Sequence, residues 1–270
     1  MGRLDCKIGI VGVGAMGGAI ARGLVNAGAL DAHAIVVVDN DDAKVAALAE
    51  QGMSRAQKAG DLPRLGCDVV VLAVKPQVLP AVLAELGDGS LDGRLVVSIA
   101  AGVKLATIEA ALPGARVVRV MPNLPLQVLS GATAVCPGSR ATAADSELVR
   151  SLFAALGSAQ VMTEAQLDVA GAVTGCGPAF FALFVDDLTR AGVRAGLPAV
   201  ACREMVLATM RGVAQQLLDS GEHPRAYMEK VTSPGGTTAA GLQAMEELLF
   251  AASSDAVDAA LQRTRELAEA

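Results

Sequence analysis

Residues 6–17 read CKIGIVGVGAMG, a short apolar stretch followed by a glycine-rich turn. The apolar part is typical of a buried strand, and helical spacing begins directly after the turn. Between them lies Gly12-x-Gly14-x-x-Gly17, a spacing that lets a turn approach a pyrophosphate and begin a helix. The glycine motif alone is weak, because glycine-rich turns are common, but here it stands between a strand and a helix. The stretch predicts a dinucleotide-binding unit.

An acidic residue follows the second apolar run. That run, 34–38, ends in Asp39, which lies 22 residues after Gly17. An acid at this place accepts hydrogen bonds from the adenine ribose hydroxyls, although an ordinary turn residue is the alternative interpretation. Residues 40–42 read NDD, and Lys44 is the only cation nearby in sequence. A 2′-phosphate would meet carboxylates there, so we expect NADH to be preferred over NADPH.

Further valine-rich runs predict more strands. They cover 67–74, 94–102 and 115–123, and shorter runs at TAVCPG and 159–162 complete the layer around a helix at 142–156. Continuous apolar runs are typical of a parallel sheet that is covered on both faces. The segments AVKPQ, SIAAG and VMPN then follow the carboxyl ends of their strands, where ligands bind. We expect an α/β, Rossmann-type doubly wound sheet over residues 1–163.

Residues 164–270 predict an all-α domain. Helical segments are expected at about 178–195, 198–219, 237–250 and 252–268. Large side chains are scarce, so the core of this half is expected to be thin. Pairing with a second copy would supply the missing burial, and we expect an obligate dimer through this half.

Composition excludes several partners. The 270 residues are 53% hydrophobic and 2% aromatic with a net charge of −6, which disfavours nucleic acid. Five cysteines at 6, 67, 136, 176 and 202 form no CxxC pair and predict free thiols in a reducing cytoplasm, with no metal site. Residues 169–185 lack charge, but they are too few for a bilayer and contain glycines and a proline, so a buried helix is expected rather than a membrane span.

A second glycine-rich loop interrupts the helical half. Residues 231–243 read VTSPGGTTAAGLQ. One serine or threonine would cap a helix, so the two glycines need another reason. They let bare N–H groups approach a guest, and a helix N-terminus attracts a carboxylate or a phosphate. Taken alone, the stretch also fits an elaborate helix start.

Five motifs together resemble the pyrroline-5-carboxylate reductase family. They are GVGAMG at 12–17, AVKPQ at 73–77, RVMPN at 119–123, TGCGPAFF at 174–181 and VTSPGGTTAAG at 231–241, in the family's order and spacing. The last is the most specific and the glycine fingerprint the least. The resemblance implies a Rossmann domain, a helical dimerisation domain and assembly as dimers or decamers. It also implies NAD(P)H-dependent reduction of 1-pyrroline-5-carboxylate to L-proline, the last step of proline biosynthesis.

The resemblance also assigns roles to residues. It places the substrate carboxylate on Ser233 and on the amides of Gly235, Gly236 and Thr237, and the imine nitrogen on the catalytic hydroxyl of Thr238. It implies Cys176 as a further substrate-binding residue, in the wall that faces the nicotinamide. The residues implied for cofactor binding are Gly12, Gly14, Ala15, Met16, Gly17, Asp39, Ala73, Val74, Lys75, Pro76, Pro122 and Asn123.

Two positions depart from the family's pattern. Leu124 stands where the family usually has threonine, and Cys176 where it usually has serine. Both leave open a reductase of a different cyclic imino acid, and a non-catalytic nucleotide-binding paralogue is a further alternative. A β-hydroxyacid dehydrogenase is disfavoured, because no lysine lies between 164 and 229 to protonate an alkoxide.

Overall fold

The computed structural model describes residues 2–269, with side chains as far as 266. The chain divides into two compact units. The first extends as far as Cys176 and includes the chain again from Ala260, and the second is Gly177–Ala259.

The first unit contains an eight-stranded sheet with the order β3-β2-β1-β4-β5-β6-β7-β8. Neighbouring strands are parallel except β6 and β7, which are antiparallel. The predicted α/β doubly wound class is therefore confirmed. The strands are β1 Ile8–Val11, β2 Ile35–Val38, β3 Ser54–Arg55, β4 Val69–Leu72, β5 Leu95–Ser98, β6 Arg116–Met121, β7 Gly131–Pro137 and β8 Gly157–Val161.

Ten α-helices are described. They are α1 Ala15–Asn26, α2 Asp42–Ala49, α3 Leu79–Leu86, α4 Leu105–Ala111, α5 Ala143–Ala154, α6 Glu164–Ala170, α7 Gly177–Arg194, α8 Ala199–Ser220, α9 Pro224–Lys230 and α10 Thr237–Glu269. A π-helical segment, Gly171–Gly175, follows α6 directly.

The valine-rich strands are buried on both faces because their alternate residues enter two different cores. One core joins residues such as Ile10 and Val71 to α1, α2 and α5. The other joins residues such as Val11 and Val70 to α3, α4 and α6. This explains why the strands show no alternation of polar and apolar residues. It also brings the carboxyl ends of β1, β2, β4 and β5 to the same edge of the sheet.

The structure corrects three details of the sequence prediction. The helices expected at 237–250 and 252–268 are one helix, because the hydroxyls of Ser253 and Ser254 donate to the carbonyls four residues earlier and do not interrupt it. Strand β3 and helix α9 were not anticipated. Strand β7 runs antiparallel to β6, since the nine-residue connection between them is too short for a parallel crossover.

One described stretch of helix meets a length and composition test for a membrane span. It covers Glu164–Arg194, and 22% of its most apolar window is buried in the structure. A single such helix is weak evidence for a membrane, because core helices of soluble proteins meet the same test. It includes the uncharged run at 169–185.

Candidate active site

The three glycines of the turn after β1 differ in the space around them. Gly12 has φ +89°, and a Cβ there would lie 2.8 Å from Val74 Cγ1. A Cβ on Gly17 would lie 2.0 Å from the carbonyl oxygen of Gly12. A Cβ on Gly14 would meet no protein atom within 4 Å. The packing of the protein therefore requires glycine at 12 and 17, whereas Gly14 faces open space in front of the turn.

Helix α1 presents its N-terminus to that space. Its N-cap is Gly14, no side chain caps it, and its first turn, which includes Ala15 and Met16, holds no acidic residue. The first N–H groups of a helix have no intrahelical partners and attract anions. The turn thus fits the pyrophosphate of a dinucleotide, and the cradle is one that a Cβ at position 14 would fill.

Asp39 is held against this turn. Its Oδ2 accepts a hydrogen bond from the Val13 amide at 2.7 Å, and its Oδ1 accepts one from the Asp41 amide at 2.9 Å. Each carboxylate oxygen has a further lone pair for a ribose hydroxyl. The structure therefore brings Asp39 and the glycine turn together, as the 22-residue spacing predicts.

Two cations lie near Asp39, and the sequence prediction found only one of them. Lys44 pairs with Asp41 at 2.8 Å. Strand β3 places Arg55 opposite Val37 on β2, and Arg55 pairs with Asp42 at 3.0 Å. Lys44 is the only cation near Asp39 in sequence, but the pairing of β3 with β2 brings Arg55 to the same region. No sequence pattern marks β3, since it is two residues long and exposed.

The segment after β4 supports the glycine turn. The Ala73 amide donates to the Val11 carbonyl at 2.8 Å. The Ala73 Cβ would lie 3.0 Å from a Cβ on Gly17. Lys75 is exposed and forms no ion pair with a described residue. Pro76 lines a groove of about 960 Å³ between α3 and α4.

The side-chain amide of Asn123 forms hydrogen bonds within the protein. It is 8% exposed, its Nδ2 donates to the Thr174 carbonyl at 3.0 Å, and its Oδ1 accepts from the Ala132 amide at 2.8 Å. Both ends of the side-chain amide are thus engaged, and Pro122 before it is buried. Asn123 connects the end of β6 to the π-helical segment. Leu124, the departure from the family pattern, is 48% exposed in a short 3₁₀ helix.

The π-helical segment forms the wall beside Asn123. Its first and last residues are glycines, and a Cβ on Gly171 or Gly175 would lie 3.2 or 3.1 Å from Met121 Cε. The Cys176 amide donates to the Gly171 carbonyl at 3.2 Å, and Cys176 is half-buried. Single π-turns occur frequently at functional sites. The structure thus brings Cys176 and Asn123 into one part of the first unit.

A charge cluster around the buried Arg119, behind this wall, was missed by sequence reasoning. Arg119 on β6 is 2% exposed and pairs with Glu164 at 3.0 Å and Asp168 at 2.8 Å. Lys104 also pairs with Asp168. Burial, followed by the negative charge of Glu164, raises the pKa of Cys136, which lies opposite Arg119 on β7. The one available signal was an arginine in the middle of the valine-rich run RVVRVM.

The second glycine-rich loop lies in the second unit, between α9 and α10. Gly235 has φ +70°, and a Cβ on Gly236 would lie 2.4 Å from Ser233 Oγ. The Gly236 amide donates to the Ser233 carbonyl at 3.0 Å, whereas the Thr237 and Thr238 amides donate to no described acceptor. The first turn of α10 holds no acidic residue, and Ser233, Thr237 and Thr238 are exposed. The loop therefore presents an open, positively polarised helix end.

Among the described residues, no three His, Cys, Asp or Glu side chains cluster in a way that could hold a metal ion. The five cysteines are free thiols. Burial is the main reason that the pKa values of Cys6 and Cys67 are raised to about 11.

Comparison with known proteins accounts for both halves of the chain. Residues 7–102 match the family model "NADP oxidoreductase coenzyme F420-dependent", and residues 164–267 match "Pyrroline-5-carboxylate reductase dimerisation". Pyrroline-5-carboxylate reductase 3 of Macaca fascicularis is 36% identical over 97% of this chain and 96% of its own length.

Solved structures show the same relationship. A pyrroline-5-carboxylate reductase from Coxiella burnetii is 32% identical, with a TM-score of 0.91 over 98% of this chain and 99% of that chain. A pyrroline carboxylate reductase of Plasmodium falciparum with NADP bound is 29% identical, with a TM-score of 0.84 over 99% of this chain and 100% of that chain. A glycine turn open at Gly14, an acid held at the end of β2 and similarity along nearly the whole chain lead to one assignment: the protein belongs to the pyrroline-5-carboxylate reductase family of NAD(P)-dependent oxidoreductases.

Proposed function

We propose that this protein reduces 1-pyrroline-5-carboxylate to L-proline with NAD(P)H, the last step of proline biosynthesis. The observation that carries the proposal is the similarity to proteins named for this reaction, which extends over 97% of the chain at 36% identity. When bound, the reduced nicotinamide supplies a hydride to the imine carbon. The nitrogen of the ring takes its proton from water, because cyclic imines protonate readily. The reaction thus needs positioning more than a strong general acid.

The loop at the start of α10 is the proposed seat of the substrate. Ser233 and the amides of Gly235, Gly236 and Thr237 would bind the carboxylate. The support is that this helix end is open, holds no acid in its first turn and leaves the Thr237 amide free. The hydroxyl of Thr238, exposed on the first turn, would hydrogen-bond the ring nitrogen and is the proposed catalytic residue.

The cofactor-binding residues are proposed to be those around the glycine turn. Gly12, Gly14 and Gly17 shape the turn, Ala15 and Met16 begin α1, and Ala73, Val74, Lys75 and Pro76 follow β4. Pro122 and Asn123 would lie by the nicotinamide, with Cys176 in the facing wall. Because the side-chain amide of Asn123 already has two partners, its contact with the cofactor would come from the backbone.

NADH is the proposed preference over NADPH. Around the ribose position lie the carboxylates of Asp39, Asp41 and Asp42 and the cations Lys44 and Arg55. Both cations are already paired, Lys44 with Asp41 and Arg55 with Asp42. The negative charge of the Asp39 carboxylate is therefore not balanced by either cation. A 2′-phosphate would be repelled by that carboxylate and would have to break one of the two pairs.

The match to a dimerisation model indicates that the chain oligomerises through its helical part. A homodimer at least, and as an extension a decamer, is proposed. The second unit supports this, because its buried hydrophobic side chains are few and many large ones are exposed. They include Phe181, Leu183, Val200, Met205, Leu218, Leu248 and Phe250, each more than 60% exposed. The free thiols support a cytoplasmic location.

A different cyclic imino acid is the second candidate substrate, because Leu124 puts an exposed apolar side chain next to Asn123. Oxidation of NADH and NADPH should therefore be followed with 1-pyrroline-5-carboxylate and with its six-membered homologue. Turnover of the five-membered ring is expected to be the faster. Activity with neither ring would refute the proposed reaction.

Thr238→Ala tests the catalytic residue. Loss of a hydrogen bond to a charged group costs about 1.5–3 kcal/mol, so kcat/KM should fall about 10- to 100-fold. Thr238→Ser should restore most of the activity. The control is Thr232→Ala, since the Thr232 hydroxyl donates to the Met228 carbonyl within the chain. Full activity of Thr238→Ala would remove the hydroxyl from the mechanism.

A further inference from the structure

Three alternate residues of β6 and its continuation contact α6 and the π-helical segment. Successive side chains of a strand point to opposite faces, so Arg119, Met121 and Asn123 lie on one side. Arg119 pairs with α6, Met121 packs against the two glycines of the π-helical segment, and Asn123 hydrogen-bonds its Thr174 carbonyl. This column of contacts fixes one helical stretch along one strand.

Of these three residues, Arg119 is the one that forms ion pairs, and it pairs with two carboxylates. Its Nη1 lies 3.0 Å from Glu164 Oε1 and its Nη2 lies 2.8 Å from Asp168 Oδ1. The two carboxylates stand one helical turn apart on the same face of α6. A planar guanidinium spans two such acceptors, whereas a lysine ammonium reaches one of them. These two contacts therefore fix both the position of α6 along β6 and the rotation of α6 about its own axis.

The two carboxylates are also tied to α4. The Leu105 amide donates to Glu164 Oε1 at 2.7 Å, and Lys104 pairs with Asp168. The cluster thus has two positive and two negative groups with each charge paired. Burying the Arg119 guanidinium against two partly buried carboxylates adds little net stability compared with apolar packing, because desolvation offsets the attraction. Its effect on geometry is the stronger reason for its presence.

What the cluster positions is the wall at the end of the helical stretch. Two residues separate Asp168 from the π-helical segment, and that segment ends next to Cys176. A shift or rotation of α6 would move the Thr174 carbonyl and Cys176 relative to Asn123. In the proposed function, the nicotinamide and the imine react beside these groups. A misplacement of about 1 Å in a reacting pair can cost about 100-fold in rate.

We propose that Arg119 is a positioning residue, which holds the Thr174–Cys176 wall in register with Asn123 through its two contacts with α6. The inference deepens the proposed function and rests on it for its catalytic consequence. In this role Arg119 itself contacts neither the substrate nor the cofactor. Since Arg119 lies on β6, away from β1 and β2, the binding of the cofactor's adenosine and pyrophosphate is independent of it.

The test is Arg119→Lys, which keeps the charge and removes the fork. The matched control is Arg116→Lys, on the same strand, where Arg116 pairs with Asp145 on α5 and has no contact with α6 among its described partners. Three quantities are measured in the full-length protein: kcat with the cyclic imine, the dissociation constant of NADH, and hydrogen exchange at the amides of 171–176.

Arg119→Lys should lower kcat about tenfold or more, leave the NADH dissociation constant within about twofold, and speed exchange at 171–176. Arg116→Lys should change neither kcat nor this exchange. An unchanged kcat in Arg119→Lys, or an equal loss in the control, would overturn the positioning role. If Arg119→Lys does not fold, Glu164→Gln and Asp168→Asn, each removing one arm, decide by the same measurements.

The exchange measurement also separates the two proposals. Should the wild-type protein fail to reduce 1-pyrroline-5-carboxylate, the proposed function falls. Faster exchange at 171–176 in Arg119→Lys alone would still support the structural part of the inference, and unchanged exchange would refute it.

Discussion

Gly14→Ala separates the glycine that the cofactor needs from the glycines that the fold needs. At position 14 a Cβ meets no protein atom within 4 Å, and the backbone angles, φ −66° and ψ −158°, are accessible to alanine. Alanine is a poorer N-cap than glycine, but it also reduces the entropy of the unfolded chain by about 0.4–1 kcal/mol. The two effects oppose one another, so the free energy of unfolding should change by less than about 1 kcal/mol.

The effect on cofactor binding should be much larger. The added methyl group occupies the space in front of the α1 N-terminus, where the pyrophosphate would approach the free amides. Losing one such hydrogen bond to a charged group costs about 1.5–3 kcal/mol. Since 1.4 kcal/mol corresponds to about tenfold in affinity, the NADH dissociation constant should rise about 10- to 100-fold.

The assay is a fluorescence titration with NADH, run beside urea denaturation of the same preparation. Gly17→Ala provides the contrast, because its Cβ would lie 2.0 Å from the Gly12 carbonyl oxygen and the turn itself would have to shift. It should lose both stability and binding. A Gly14→Ala protein that binds NADH within twofold of wild type would refute the placement of the pyrophosphate.

Two further predictions concern charged groups. Asp39→Ser combined with Asn40→Arg should lower the NADH-to-NADPH ratio of kcat/KM about tenfold or more, by removing repulsion and adding a phosphate ligand; an unchanged ratio would exclude Asp39 as the selectivity residue. Burial opposes ionisation of Asp145, but hydrogen bonds from Thr142 and the Arg116 guanidinium outweigh it and hold its pKa below the ordinary value. Asp145→Asn should therefore lower the free energy of unfolding by about 1.5–3 kcal/mol at pH 7. The difference should shrink as the pH falls below about 4, where wild type also loses this carboxylate, and a difference that urea denaturation shows to be constant with pH would contradict this.

Local patterns were sufficient to predict the sheet and the glycine turn. Strands β1, β2, β4 and β5 are apolar runs between turn residues, and the turn residues Gly12 and Gly17 have a steric reason that the spacing already implies. The antiparallel direction of β7 was not predicted, although the short connection that precedes it indicates that direction. These features depend on neighbours in sequence.

The parts that were missed depend on distant residues. Strand β3 exists because Arg55 and its neighbour pair with β2, not because of their own propensity. Arg119 pairs with residues 45 and 49 positions later, and nothing near it in sequence marks those partners. Helix α10 continues through residue 251, where two separate helices were expected. Sequence reasoning therefore identified the loops that are proposed to face the ligands and missed the contacts that hold those loops in place.

The double use of the Asp39 carboxylate has a consequence for redesign. Its Oδ2 holds the Val13 amide inside the glycine turn, so the same group organises the loop before any nucleotide arrives. Exchanging it to retune the choice of coenzyme would also loosen the cradle, and both coenzymes would then bind more weakly. A successful switch in this protein needs a second substitution that gives the Val13 amide a new acceptor.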